Sequence, residues 1–174
     1  MIIFNKIEEF DEALEYIGFT ERKVFQFESD ENKTTDEVLS EILKSDIFFK
    51  TQKCTDYSES KSRKYEIRTN HAFTDKIKID DFEKLTFNGL ETRIEEIKKE
   101  PDWGEDLPIF KKLISNSTNW ITVNNYQNEK LYFIYAESIS TEKLIDHNYY
   151  SYFMTIIIIS ISDSQVIIIN HGGD

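Results

Sequence analysis

Residues 5–18 read NKIEEFDEALEYIG, and the reading of this stretch decides the fold. Ile7, Phe10, Leu14 and Ile17 recur at helical spacing, within an arc of about 80° at 100° per residue. Asn5 can cap, Glu8 stands three residues later, and Gly18 can stop the helix. The spacing predicts a helix over about 6–17, with Glu8, Glu9, Asp11, Glu12 and Glu15 on the face opposite the apolar stripe. Glu8 with Glu12, and Asp11 with Glu15, are then like-charge neighbours at i, i+4, each costing a few tenths of a kcal/mol. Acids in the first turn also favour the helix dipole, and a solubilising face accounts for part of the same run.

Downstream, Val24, Phe25 and Phe27 suggest a short strand, and Thr34 with Glu37 forms a capping-box pattern ahead of Val38, Leu39, Ile42 and Leu43. Residues 51–64, TQKCTDYSESKSRK, lack periodicity and read as a mobile loop. Tyr65 to Thr69 and Ile77 to Ile79 read as short strands. Helices are expected over about 90–99, ended by Pro101, and from Leu107 to Ser115 with Asp106 as cap. The last third is rich in β-branched and aromatic residues, and Trp120 to Asn124, Lys130 to Glu137, Tyr149 to Ile161 and Gln165 to Asn170 read as strands. MTIIIISI and VIII have no polar alternation, so both faces of those strands need cover. The expected fold is α+β, with N-terminal and central helices packed on a C-terminal antiparallel β-meander of about four strands, as one domain over 1–174.

The chain carries 33 acids against 21 bases, and twelve acids against four bases lie before residue 42. Residues 42–117 balance at fifteen of each sign. A field of this sign repels nucleic-acid phosphates and anionic lipid and attracts basic proteins. The longest apolar run, Phe153 to Ile161, is half of what a membrane-spanning helix needs. The first ten residues lack the pattern of a secretion signal, so a cytoplasmic location is expected.

The five glycines form no P-loop, dinucleotide fingerprint or nucleophile elbow. Cys54 stands alone, which excludes an internal disulfide framework, and no His stands near it in the sequence. His71, His147 and His171 form no metal-gripping pair. Asp146 beside His147, and His171 near Asp174, are neighbours in sequence without further support as acid–base pairs. The expectation is no catalytic residue, cofactor or metal, and a partner-binding surface made of Glu8, Glu9, Asp11, Glu12, Glu15, Asp30, Glu31 and Asp36. Tyr149 and Tyr150 are candidate anchors, since tyrosine is enriched at binding hot spots.

The acid-rich stretch Glu8 to Glu15, with Asp30, Glu31, Asp36 and Glu37, in a small cysteine-poor chain of Ile-, Asn- and Lys-rich texture, resembles the bacterial immunity proteins of contact-dependent and polymorphic toxin systems. The resemblance implies a non-catalytic inhibitor that covers the active surface of a basic toxin nuclease. A phage- or plasmid-encoded inhibitor mimicking nucleic-acid charge and an enzyme of unrecognised family are the alternative readings, and a homodimer through the apolar strands remains open.

Overall fold

The computed structural model describes residues 2–15, 17–56, 63–101, 103–104, 106–145 and 150–173, with the backbone alone at 53–56 and 63–65. The elements in chain order are β1 (Ile2–Leu14), β2 (Gly18–Ser29), α1 (Thr35–Lys44), β3 (Lys50–Asp56), β4 (Arg63–Asn70), β5 (Phe73–Thr74), β6 (Glu83–Leu85), α2 (Phe87–Ile97), α3 (Asp106–Val123), β7 (Lys130–Tyr135), β8 (Tyr152–Ser160) and β9 (Gln165–Gly173). Six strands form one antiparallel sheet in the order β1-β2-β9-β8-β7-β6, and β3-β4-β5 form a smaller one. This overturns the expected packing of N-terminal and central helices on a C-terminal meander of about four strands. The N-terminal segment is itself sheet.

The misreading has a local cause. Pairing between β1 and β2 is continuous except for a bulge between Lys6 and Glu8, which drops Ile7 out of register. Ile17 lies in the turn that follows Glu15, closed by the Ile17 N–H donating to the Leu14 carbonyl (3.0 Å). Two of the four apolar residues of the supposed stripe thus belong to a bulge and a turn, and the 3.6-residue period is accidental. Ile7 is 55% and Phe10 39% exposed, whereas a helix stripe would be buried. β1 is held instead by its ladder to β2 and, near its start, by Phe4 against Phe27, ring centroids 6.4 Å apart.

Every residue of β8 is buried, and β9 is buried from Val166 to Gly173. One face of the large sheet carries Phe153, Ile157, Ile159, Val166 and Ile168 into a cluster with Val38, Leu39 and Ile42 of α1 and with Phe48, Phe49, Ala72 and Phe73 around the small sheet. The other carries Met154, Ile156, Ile158, Ile167 and Ile169 against Leu90, Ile94 and Ile97 of α2 and Phe110, Ile114 and Ile121 of α3. The sheet is therefore the middle of three layers. α1 starts on the expected capping box, with the Glu37 N–H donating to Thr34 Oγ1 and the Thr34 N–H donating to the Glu37 carboxylate.

Three other expectations change. Trp120 to Asn124, expected as a strand, continues α3 as far as Val123 because Ile114, Ser117 and Ile121 keep helical spacing into the core. Residues 51–56 and 63–64, expected as loop, are strand in β3 and β4, paired from Lys50↔Thr69 to Asp56↔Arg63. The stretch Ile77 to Ile79 is not a strand; Ile79 to Asp81 form a single 3₁₀ turn.

Two-sided cover is directly testable. Ile157→Ala on the α1 face and Ile158→Ala on the α2–α3 face should each lose about 2–5 kcal/mol in urea denaturation, since both side chains are fully buried. A loss confined to one of the two would mean that the other face is open.

Candidate functional site

Strand alternation sends the acids of β1 to both faces of the sheet edge. Glu8 and Glu12 project on the α3 side: Arg22 Nη2 donates to Glu8 (2.9 Å), and Asn116 Nδ2 donates to both Glu12 oxygens (3.2 and 3.3 Å). Glu9 projects on the opposite side and takes Lys6 (2.5 Å) and Lys23 (3.8 Å). Asp11 is exposed and pairs across the ladder with Glu21, and Glu15 sits in the β1–β2 turn with φ of 54°. The single acidic face expected for residues 8–15 is thus replaced by a two-sided acidic edge.

Asp30 and Glu31 follow β2, whose last residue, Ser29, pairs with Ile2, so they border the other end of β1. Glu31 pairs with Lys33 (2.8 Å). Asp36 lies elsewhere, in the first turn of α1, where it accepts from Lys84 (2.6 Å) and the Tyr132 hydroxyl (2.6 Å). The Lys84 bond, with the Tyr132 hydroxyl, lowers its pKa. Tyr150 packs beside Phe19 and Phe153 and borders, with Ala13 of β1 and Ile17, a cavity of about 390 Å³ at the turn end of β1; Tyr149 lies outside the described residues, as do Asp146, His147 and Asp174. The cysteine side chain also lies outside them.

Sequence reasoning missed a polar cluster between the two sheets. Asn170 of β9 receives the Thr155 hydroxyl (2.7 Å), donates to Glu21 (2.8 Å), and exchanges amide bonds with Asn70 of β4 (3.3 Å each). Lys23 donates to Glu21, and His71 bridges from Glu21 Oε2 (3.3 Å) to the Tyr150 hydroxyl (3.3 Å). His71 has φ of 48°, a left-handed position that histidine tolerates better than most residues. Burial alone would raise the Glu21 pKa; hydrogen bonds from His71, Lys23 and Asn170 outweigh it and hold the carboxyl far below the usual range. A cavity of about 140 Å³ adjoins this cluster, bordered by Lys50, Gln52 and Thr69. The available signal was a polar residue interrupting an apolar run, Thr155 in β8 and Asn170 in β9.

On the α3 face, His171 is fully buried and its Nδ1 shares a hydrogen bond with the Thr20 hydroxyl (2.8 Å). Burial lowers its pKa to about 3, so the imidazole is neutral at ordinary pH. Beside it Arg22, only 8% exposed, lies with its guanidinium 4.0 Å from the Trp120 ring centre and 4.6 Å from that of Phe10. A cleft of about 360 Å³ opens there between β1 and α3, with Val123 at 69% exposure on its rim. A groove of about 860 Å³ lies at the N-termini of α1 and α2, where Asp36 and Lys84 neutralise one another.

Among the described residues no group of His, Cys, Asp and Glu is arranged to hold a metal ion, and no helix is long and apolar enough to cross a membrane. No protein-family model matches the chain, and neither a curated protein nor a solved structure matches it.

The Glu21 cluster has a defined pH signature. Its folded pKa lies below the ordinary 4.5, so its stabilisation is complete above that value and is lost as pH falls beneath it. Glu21→Gln should lose about 2–3 kcal/mol near pH 7, because buried Lys23 loses its near anion and keeps only Glu9 at 3.8 Å. In urea titrations the gap from the native protein should hold constant above about pH 5 and narrow by about 1.4 kcal/mol per unit below the ordinary value.

His171 works in a higher window. The unfolded chain takes up its proton below 6.5 and the folded chain only near 3, so this group removes stability as pH falls between those values. Imidazole ¹⁵N shifts should keep His171 neutral at pH 5; a protonated ring there would contradict its enclosure.

Proposed function

We propose that the chain is a non-catalytic binding protein that docks a basic protein partner along β1 and covers its active surface, in the manner of an immunity protein neutralising a cationic toxin nuclease. The observation that carries this reading is the character of the edge strand. β1 is 13 residues long and, among the described residues, pairs on one side only, with β2. A long free edge with exposed apolar residues offers backbone hydrogen bonds to an added strand and is ordinarily a liability. Three of the exposed large apolar side chains, Ile3, Ile7 and Phe10, lie on it.

Charge narrows the kind of partner. Residues 8–23 hold six carboxylates against Arg22 and Lys23. Two copies meeting edge to edge along β1 would set these acids against each other, which disfavours self-pairing there and favours a cationic partner. The apolar residues supply contact area, while the acids supply steering and selection.

The acids to reverse are those without a cation partner among the described residues, Asp11, Glu12 and Glu15. The variant Asp11→Lys, Glu12→Lys, Glu15→Lys should associate with a cationic nuclease domain about tenfold or more slowly at low salt, with a flatter salt dependence and little change in thermal stability. Hydrogen exchange at β1 amides should slow in the native complex. Unchanged association kinetics with unprotected β1 amides would reject the docking assignment.

A further inference from the structure

We infer that the cavity between the two sheets is a binding site for one small oxyanion, a carboxylate or a phosphate, held by Lys50 and the hydroxyl of Thr69. The site is separate from the β1 edge and does not depend on the docking reading. The cavity measures about 140 Å³, with Glu21, Lys23 and Asn170 of the large sheet on one side and Lys50, Gln52 and Thr69 of the small sheet on the other. That volume is well below the roughly 300 Å³ at which small-molecule pockets begin, and it exceeds what a single water fills. It suits an occupant of a few heavy atoms.

On the large-sheet side the acceptors are already taken. Glu21 Oε1 receives Lys23, and Oε2 is engaged by His71 and Asn170. Asn170 Oδ1 receives Thr155 and Asn70, and Asn70 Oδ1 receives Asn170. On the small-sheet side the donors are not taken. Thr69 is 3% exposed, and its hydroxyl has no hydrogen-bond partner among the described residues. An enclosed hydroxyl without a partner costs stability that a ligand oxygen can restore.

Lys50 stands directly opposite Thr69 in the β3–β4 ladder, so the two side chains leave the same face of the small sheet. Gln52, two residues along β3, follows them. Neither Lys50 nor the Gln52 amide has a side-chain partner among the described residues. Both are exposed whereas Thr69 is buried, which gives the site a wet mouth and a dry floor.

Charge decides the sign of the occupant. Lys23 and Lys50 against Glu21 leave a positive excess at this place, in a chain of net −12. An ammonium offers only donors, so Lys50 calls for a negative acceptor. The Thr69 hydroxyl adds a second donor at a different point, which calls for an occupant with at least two oxygens. A carboxylate or a phosphate has them, and a halide does not. An oxyanion seated there ties β3 and β4 to Lys23 of the large sheet, and its binding adds to the stability of the folded chain.

The test titrates the intact chain with sodium phosphate, sodium acetate and sodium chloride at constant ionic strength, followed by NMR. Phosphate or acetate should shift the Thr69 backbone amide and the Gln52 side-chain amide to saturation, and the stronger response identifies the preferred oxyanion; chloride should leave both in place. Thr69→Val removes the hydroxyl at nearly constant volume. It should weaken oxyanion binding about tenfold, the scale of one charge-assisted hydrogen bond, without lowering the melting temperature in buffer free of phosphate and acetate. Lys50→Gln, at an exposed position that leaves the fold intact, should weaken binding about tenfold or more and decides the matter if the valine variant does not fold.

Native affinity in Lys50→Gln, or in a folded Thr69→Val, would overturn the site, as would an equal response to chloride. Shifts confined to lysines away from the small sheet would mean an adventitious ion only. None of these outcomes bears on docking along β1, which the nuclease-domain kinetics decide.

Discussion

Two adjacent strands with no wet face, β8 and β9, set the terms for everything around them. Each alternate side chain from Tyr152 to Ser160 points to one side or the other, and all are buried, so an apolar layer is required on both sides. α2 and α3 supply one, and α1 with the small sheet supplies the other. The two layers extend outward only as far as their own length permits. α3 reaches over β9 and β2, with Trp120 against Arg22, and beyond it β1 is left at the margin with Ile3, Ile7 and Phe10 in solvent. The exposed edge is thus a geometric consequence of a sheet wider than the helices that cover it.

Polar residues inside this dry structure fix what hydrophobicity alone would leave loose. An unbroken run of isoleucines can slide along a neighbouring strand with little change in burial. Thr155, Asn170 and Glu21 cannot, because a slip by one residue would turn Asn170 from the polar cluster into the α2–α3 core. The same bonds tie Asn70 and His71 of the small-sheet side to the large sheet. A carboxylate that remains ionised while largely enclosed is tolerable here because Lys23, His71 and Asn170 all converge on it.

The legibility of the sequence follows this division of labour. β7, β8 and β9, the capping box of α1 and the cores of α2 and α3 were readable because local pattern and burial agree there. Residues 5–18 were not, since an edge strand has little burial to impose a two-residue period, and the bulge at Ile7 breaks what period there is. The acid-rich composition, with Ala13 and Leu14, also favours helix intrinsically, and the ladder to β2 overrides that preference. Trp120 failed for the opposite reason: its aromatic and β-branched neighbours have strand propensity, yet Ser117 and Ile121 face the core one helical turn apart. Of the candidate site, the residues Glu8 to Glu15 were legible as an acidic locus but not as two-sided. The cluster around Glu21 was invisible because its members come from β2, β4, β8 and β9, and only the tertiary fold assembles them.

Acid on a sheet edge has two physical effects that act together. It prevents identical edges from pairing, because carboxylates would face carboxylates, and it leaves the backbone groups available to a strand of the opposite sign. The intramolecular pairs decide where the second effect is strongest. Glu8 and Glu9 are answered by Arg22, Lys6 and Lys23, and Glu31 by Lys33, so their fields are largely local. Asp11, Glu12 and Glu15 have no such answer among the described residues, and they lie at the end of β1 where Phe10, Trp120 and Val123 border the cleft. Attraction and apolar contact therefore coincide at the turn-proximal half of β1, a narrower locus than the net charge of the chain suggests.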